Sequence, residues 1–585
     1  MFKKTVLAAT LATVALSASA GKFNAIKPPP AQGALGSVVV NPYGYAPQTA
    51  VVDLGGHEIT AAKVTVQGKG KKGVDISYDV NRETILNHNG VPIFGLYADF
   101  DNTVTLEYVK NGDKIKEDYS IWTQPLQGGA VVNGVKNNYP EVEVKKVDSK
   151  FKDRLYMMNY LLPVPGSYDL EWKGGMGAMN WDRHTFTYVL DTQGETRWTL
   201  DTNKIHDVND RSKRGIIMGI HQMDNGDIIF GQGQKIYRFD MFGKKVFEWD
   251  LPRGYQDFSH DMKAMPNGHY IVRAAKTDYL REDGKRVHTV RDHILEIDEH
   301  GKLVEVWDLN KILDPMRDDL LKALNAGAVC LNIDEDKMGK KADIEPDAPF
   351  GDLPGVGAGR NWAHVNSVDY DVADDSIILS LRHQGNVKIG RDKEVKWILS
   401  PSAGWKGELA KKVLKPVDSK GRALQCSEKG ECEGDFDFTY TQHTTWLNGK
   451  TYKDQDVVGI VSFDNGDGRH LDQPAMPSMK YSRGVEYKIN EKDMTVEQTW
   501  EYGKDRGYDW YSVVTSNTRY MADRDTMELF SANINMGIKG KRSGGILNEI
   551  DYRTKDVKVE MEFTWLMPRN AAYRAMAIDV NKLGN

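Results

Sequence analysis

Residues 295–307 read LEIDEHGKLVEVW, and this phrase decides the fold. An alternating apolar run leads into Asp298 and Gly301, and a second run leads out and ends on Trp307. Apolar residues at every second position mark a half-buried strand, and Asp with Gly between two such runs marks a tight turn. The phrase recurs as YVLDTQGETRW ending at Trp198 and as YRFDMFGKKVFEW ending at Trp249. Looser copies are NVKIGRDKEVKW at Trp397, YKINEKDMTVEQTW at Trp500 and NEIDYRTKDVKVEMEFTW at Trp565. A repeated four-strand unit with its own turn chemistry is the signature of a propeller blade. Six copies predict six blades around one axis over residues 151–585, with equivalent positions of the blades gathered at that axis.

Upstream of the first copy the pattern changes. From about residue 33 to 127 the chain is β-branched and alternating (SVVVNPYGYAPQTAVVDL, KVTVQGKG, VTLEYVKNGDKIKEDYSIW) but lacks the tryptophan phrase. KNGDK reads as a hairpin turn. The fold class is therefore all-β: a six-bladed β-propeller preceded by a smaller, β-sandwich-like domain over residues 21–127, with residues 128–150 as a polar connection. Two blades carry long insertions. Residues 310–360 include a predicted helix (NKILDPMRDDLLKALNAGAV), and residues 400–440 include a short cysteine loop. Long loops on a rigid β scaffold usually shape a site.

Composition bounds the partners. The chain has 585 residues, 27% charged, with a net charge of −6, so it carries no basic footprint for nucleic acid or anionic lipid. Lys3 and Lys4, an apolar run too short to span a bilayer, and Ala18-Ser19-Ala20 make residues 1–20 a cleavable secretory signal. The mature chain is expected in the periplasm, with no membrane anchor. Export permits disulfides. Cys426 and Cys432, six apart in CSEKGEC, are the expected pair, worth about 2 kcal/mol on the chain-entropy model. Cys330 is left as a buried free thiol.

The chemistry lies in histidines placed ahead of the blade turns: His221 in GIHQMDNG, His260 in FSHDMKAMPNG, His364 in NWAHVNSVDY and His443 in YTQHTTWLNG. One histidine at a strand start is ordinarily structural. Four at one repeat position point to a shared site, although His221 reads equally well as structural. Arg382 in LSLRHQGN and Asn366, on the strand face of His364, can join them. The corresponding stretch of the fifth repeat, YSVVTSNTRY, offers Ser512 or Thr515. A metal is the rival reading, but no His-x-His or His-x-x-His pair is present and Arg382 would repel a cation. Several imidazoles beside a permanent positive charge suit an oxyanion in transfer, with one imidazole able to act as nucleophile. No metal and no cofactor are expected.

The motifs around His260, His364, Arg382 and His443, in this order, resemble those of the bacterial arylsulfate sulfotransferases that need no phosphoadenosyl donor. The resemblance runs over nearly the whole mature chain. It implies a periplasmic homodimer that moves a sulfuryl group from a phenolic sulfate ester to an acceptor phenol by a ping-pong route. It further implies a sulfohistidine at His443, with His260, His364, Arg382 and Asn366 holding sulfate or moving protons, Thr515 assisting, and a periplasmic thiol oxidase forming Cys426–Cys432. Other sulfur chemistries lack their motifs. No cysteine begins Cys-x-Pro-x-Arg, and GVGAGR at 355–360 has no strand-turn-helix context for a nucleotide. The alternative is a non-enzymatic propeller that binds an anionic ligand or a protein partner.

Overall fold

The computed structural model describes residues 31–126, 131–132, 135–136, 139–163, 183–207, 209–329, 332–344, 350–474, 480–566 and 570–584. The expected signal segment and Cys330 lie outside the described residues.

The amino-terminal region is two antiparallel sheets. One has three strands, Val38–Val40, Thr49–Asp53 and Gly90–Phe94; the other has four, Ala61–Val66, Ile76–Asn81, Phe100–Lys110 and Asp113–Thr123. Alternation does its expected work: Ala62, Val64 and Val66 are buried while Ala61 and Lys63 face solvent. The KNGDK turn joins the two long strands, with Asn111 and Gly112 both at positive φ (53° and 89°). That is the backbone of a two-residue hairpin turn, which favours Asn-Gly.

Six further sheets of four or five strands follow, antiparallel except where Lys415–Val417 runs parallel to Thr495–Tyr502. Each tryptophan phrase is the outer hairpin of one of them, and five of the six tryptophans lie inside its last strand. The repeated aspartate explains the turn. In 298–302 the Asp298 carboxylate accepts from the amides of His300 and Lys302 at 2.9 and 2.8 Å, and Asp191 and Asp240 do the same in their hairpins. Gly194, Gly243 and Gly301 take the left-handed position that closes the turn, which glycine adopts without steric cost. The looser copies place Lys393, Met494 and Lys555 at positive φ instead.

Three of the tryptophans tie their sheet to the next. The indole N–H of Trp307 donates to the Gly390 carbonyl (3.0 Å), Trp397 to Glu491 (2.8 Å) and Trp500 to the Tyr552 carbonyl (3.0 Å), each in the following sheet's outer hairpin. The innermost strands also lie side by side in chain order: Met218–Gln222, Met262–Ala264, Val365–Asp371, Thr444–Leu447 and Asn517–Met521. The chain ends then interlock. Ala571–Ile578 supplies the innermost strand beside Leu155–Pro163, and Glu141–Val147 adds an outer strand beside Val557–Thr564. Part of the expected 128–150 connection is thus a strand of the last sheet.

The expected helix in 310–329 is not formed. Leu309–Ile312 makes a single turn, Leu321–Ala323 is a 3-10 turn, and Ala328–Val329 pairs with Asn332–Ile333. Pro315 lacks an amide hydrogen and pushes Asp314 out of helical geometry, which stops the helix after its first turn. Arg317 pins the segment instead, with its guanidinium on the carbonyls of Ala403 and Gln384 and over the Trp405 ring. The 355–360 glycines lie in irregular backbone with no helix.

Candidate active site

His260, His364 and His443 come together where their innermost strands begin. Ring centroids are 5.3 Å apart for His260–His364 and 5.9 Å for His260–His443, and all three side chains are buried. His260 and His364 hold φ of 71° and 53°. A non-glycine residue in this region costs energy and persists only where surrounding structure enforces it, often at functional sites.

A hydrogen bond fixes one of the three tautomers. His443 Nδ1 lies 3.2 Å from the Ser516 carbonyl oxygen. A carbonyl only accepts, so Nδ1 carries the proton and Nε2 carries the lone pair. That Nε2 is buried and has no partner among the described residues. His364 is gripped by donors: Asn361 Nδ2 lies 2.9 Å from its Nδ1, and Arg291 Nη1 lies 3.2 Å from both ring nitrogens. His260 Nδ1 faces the Ser259 hydroxyl at 2.6 Å. A hydroxyl can donate or accept, so His260 can hold either tautomer.

The surroundings are cationic. Arg382 donates to the carbonyls of Thr441 (3.0 Å) and Val513 (3.2 Å). Arg291 pairs with buried Asp352, and Arg574 donates to Asp261 at 2.7 Å. Burial holds His443 well below the usual imidazole value, reinforced by Arg574 and Arg382. Burial likewise depresses His260, helped by Arg291 and Arg273, and His364, helped by Arg291 and His383. All three are neutral near pH 7. Burial pushes Asp352 up to about 7 against the pull of Arg291. Among the described residues no cluster of His, Cys, Asp or Glu has the geometry of a metal site.

The other expected residues are distributed as follows. Asn366 Nδ2 donates to the Gln442 carbonyl (3.1 Å), and its Oδ1 has no partner among the described residues. The Thr515 hydroxyl is turned to the backbone: it donates to the carbonyls of Val514 and Ala572 and accepts from Asn533 Nδ2 at 2.6 Å. Its neighbour Ser516 serves the cluster through the carbonyl on His443. His221 lies within its strand, away from the other three, with Nε2 2.7 Å from Asp261 Oδ1. Cys426–Cys432 is a disulfide. Its loop docks on the stretch before His443, with the Tyr440 hydroxyl donating to the Lys429 carbonyl at 2.8 Å.

Sequence reasoning missed Arg291, His383, Tyr573 and Arg574. His383 stands 4.8 Å from His364, and Tyr573 lies 5.2 Å from His443. Arg574 was detectable as the lone charge in the apolar run AAYRAMAI. A cavity of about 940 Å³, lined by Tyr255, Tyr279 and His293 among others, includes none of the three clustered histidines.

Comparison with known proteins identifies the family. The family described as Arylsulfotransferase (ASST) matches residues 141–574, starting at the strand that completes the last sheet, and Arylsulfotransferase Ig-like domain matches residues 37–124. The chain is 50% identical over 594 residues to Arylsulfate sulfotransferase AssT of Escherichia coli O6:H1 (strain CFT073), covering 99% of this chain and 98% of the relative. It is 48% identical to the Lelliottia amnigena protein of the same name, with the same coverage. A solved structure from Bacteroides caccae, of unknown function, matches 73% of this chain and 98% of its own with 8% identity and a TM-score of 0.33, too remote to bear on function. The chain belongs to the arylsulfotransferase family of enzymes.

Proposed function

We propose that this enzyme transfers a sulfuryl group from a phenolic sulfate ester to an acceptor phenol through a sulfohistidine on His443. The observation that carries the reading is the His443 Nε2 lone pair, buried, without a partner among the described residues, and surrounded by guanidinium groups. In the first half-reaction Nε2 attacks sulfur and the sulfur–oxygen bond to the phenol breaks. The bonding electrons leave with the phenolate oxygen, which takes a proton. In the second, an incoming phenol loses its proton, its oxygen attacks sulfur, and the nitrogen–sulfur bond breaks. Phenol has a pKa near 10, so the departing oxygen needs a donor and the incoming one a base.

The tautomers assign the roles. His260, able to hold its proton on either nitrogen, is the acid/base that serves both halves. His364, held between Asn361 and Arg291, is assigned to hold a sulfuryl oxygen. Arg382 cannot act as a base and clamps the equatorial oxygens, on which charge concentrates in the transition state. Asn366 and Thr515 are assigned to sulfate contact and to support of the Ser516 loop. The chemistry needs no metal or other cofactor in this reading.

In the same reading the six sheets are the blades of a six-bladed propeller over residues 151–585, with the Ig-like domain over residues 21–127 in front of it. Residues 1–20 are a signal peptide cleaved on export to the periplasm. There a thiol oxidase closes Cys426–Cys432, and the mature chain acts as a homodimer. The leader's composition and the disulfide support the compartment; the family resemblance supports the dimer.

The test is turnover of a chromogenic aryl sulfate with and without added phenol. Phenol-dependent acceleration, with sulfate appearing on the acceptor, is expected. Release at a rate set by water alone would make the enzyme a hydrolase, and no release would leave a binding protein.

A further inference from the structure

Directly beneath the histidines, one carboxylate gathers donors from the surrounding sheets. Asp261, fully buried, accepts at Oδ1 from His221 Nε2 (2.7 Å) and Arg574 Nη1 (2.7 Å). At Oδ2 it accepts from the Trp446 indole (3.2 Å) and the Val368 amide (3.1 Å). His221, Val368, Trp446 and Arg574 stand on four different innermost strands, and Asp261 itself leads into a fifth. Burial alone would raise this carboxyl, but Arg574 and His221 hold it below the usual carboxylate range, so it is an anion meeting four donors. Arg574 is sandwiched in the same layer. Its second nitrogen reaches the Asn366 carbonyl (3.3 Å), and its guanidinium lies 5.0 Å from the Trp446 ring centroid. The next layer repeats the device: Asp369 accepts from Lys263 (2.9 Å) and from the Leu447 amide (2.8 Å).

These residues follow the clustered histidines by only one to four positions: His260–Asp261, His364–Val368, His443–Trp446. His221 is the most exposed member of the layer, at 16% side-chain exposure, whereas the three histidines above it are at most 3% exposed. The layer therefore separates the reacting nitrogens from water on the His221 side.

We propose that Asp261 is a positioning residue, and that the His221–Asp261–Trp446–Arg574 layer is a sealed floor that keeps water off the sulfohistidine, so that donor and acceptor share one entrance. The inference rests on the reading of His443 as the sulfuryl acceptor. A floor of this kind decides between transfer and hydrolysis. In hydrolysis a water oxygen bonds sulfur as the nitrogen–sulfur bond breaks, giving hydrogensulfate, free imidazole and one proton to the medium. The Asp261 carboxylate, satisfied by four donors, offers no acceptor to a water, and losing one donor creates one; Arg574 Nε is the buried donor in the layer left without a partner among the described residues.

The experiment measures partition: hydrogensulfate formed per acceptor sulfated, at fixed phenol, using 4-nitrophenyl sulfate as donor. His221→Ala is expected to raise this ratio roughly tenfold, the kinetic equivalent of one lost hydrogen bond to a charged group. His221→Gln, which keeps a side-chain N–H for Asp261, should return it close to the parent value. Trp446→Phe, which keeps the ring and loses the donor, should move it in the same direction as His221→Ala. Asp261→Asn should leak most; if it does not fold, the His221 pair still decides. An unchanged partition in a His221→Ala protein that melts like the parent would overturn the floor. A parent enzyme that never forms the His443 adduct would instead overturn the functional reading beneath it.

Discussion

Two layers of the same innermost strands sit one to four residues apart and follow opposite rules. In the upper layer, polar atoms face one another without protein partners: His443 Nε2 and Asn366 Oδ1 are buried with none among the described residues. In the lower layer the central carboxylate of Asp261 is bonded by every neighbour in reach. A buried polar group left unsatisfied costs about 1–3 kcal/mol, so the upper layer is maintained at a cost that the lower layer offsets. The difference teaches where function lies: the strands spend their satisfied bonds on a floor and keep their unsatisfied ones for a ligand.

The largest effect should come from removing charge in the upper layer. Arg382→Leu is expected to lose on the order of 100-fold or more in turnover, as for one donor to a developing oxyanion. It should keep a cooperative melt, because its bonds to the Thr441 and Val513 carbonyls add to sheets that already carry the fold. Collapse of the fold together with activity would make Arg382 a structural link instead.

Acid should act on the imidazoles of both layers, because burial also holds His221 below the usual imidazole value. His260, His364, His383 and His443 are all held below the usual imidazole value of 6.5 by burial. Their contribution to stability is complete above about pH 6.5 and is lost as pH falls through that value toward the folded pKa. Asp261, held low, stays ionised through the same window. Melting temperature should therefore fall between pH 7.5 and 5. A flat or rising profile would contradict neutral, buried histidines.

A smaller effect is expected behind the upper layer. Cys426→Ala/Cys432→Ala should still fold, because a six-residue loop restrains few unfolded conformations. It should slow transfer a few-fold by loosening the Tyr440 contact that precedes His443, an effect of about 1 kcal/mol on the barrier. Full activity in that double variant would detach the disulfide from the site.

Smallest is Thr515→Val. The hydroxyl has backbone and Asn533 partners, so its loss should cost about 1 kcal/mol of stability and little selective activity. A drop in kcat with unchanged melting would restore Thr515 to sulfate contact.

How much of this was legible follows from what each residue needs. The hairpins were readable because their turn chemistry is local: Asp298 and Gly301 act on amides within four positions. The three histidines were readable because repetition placed them at equivalent strand starts. Asp261 was not, because its meaning comes from four other strands and nothing in SHDMK declares it; Arg574 stands out only as a lone charge in AAYRAMAI, with its partner undeclared. His221 shares the motif spacing but lies deeper along its strand, which only register reveals. The failed helix in 310–329 shows an apolar pattern overruled by one proline.

The most direct measurement is peptide mapping by mass spectrometry after rapid mixing of the mature enzyme with 4-nitrophenyl sulfate and no acceptor. The account predicts one SO3 on the peptide containing His443, removed on adding phenol and never formed in His443→Ala. An adduct on another residue, or one that persists in His443→Ala, would contradict it.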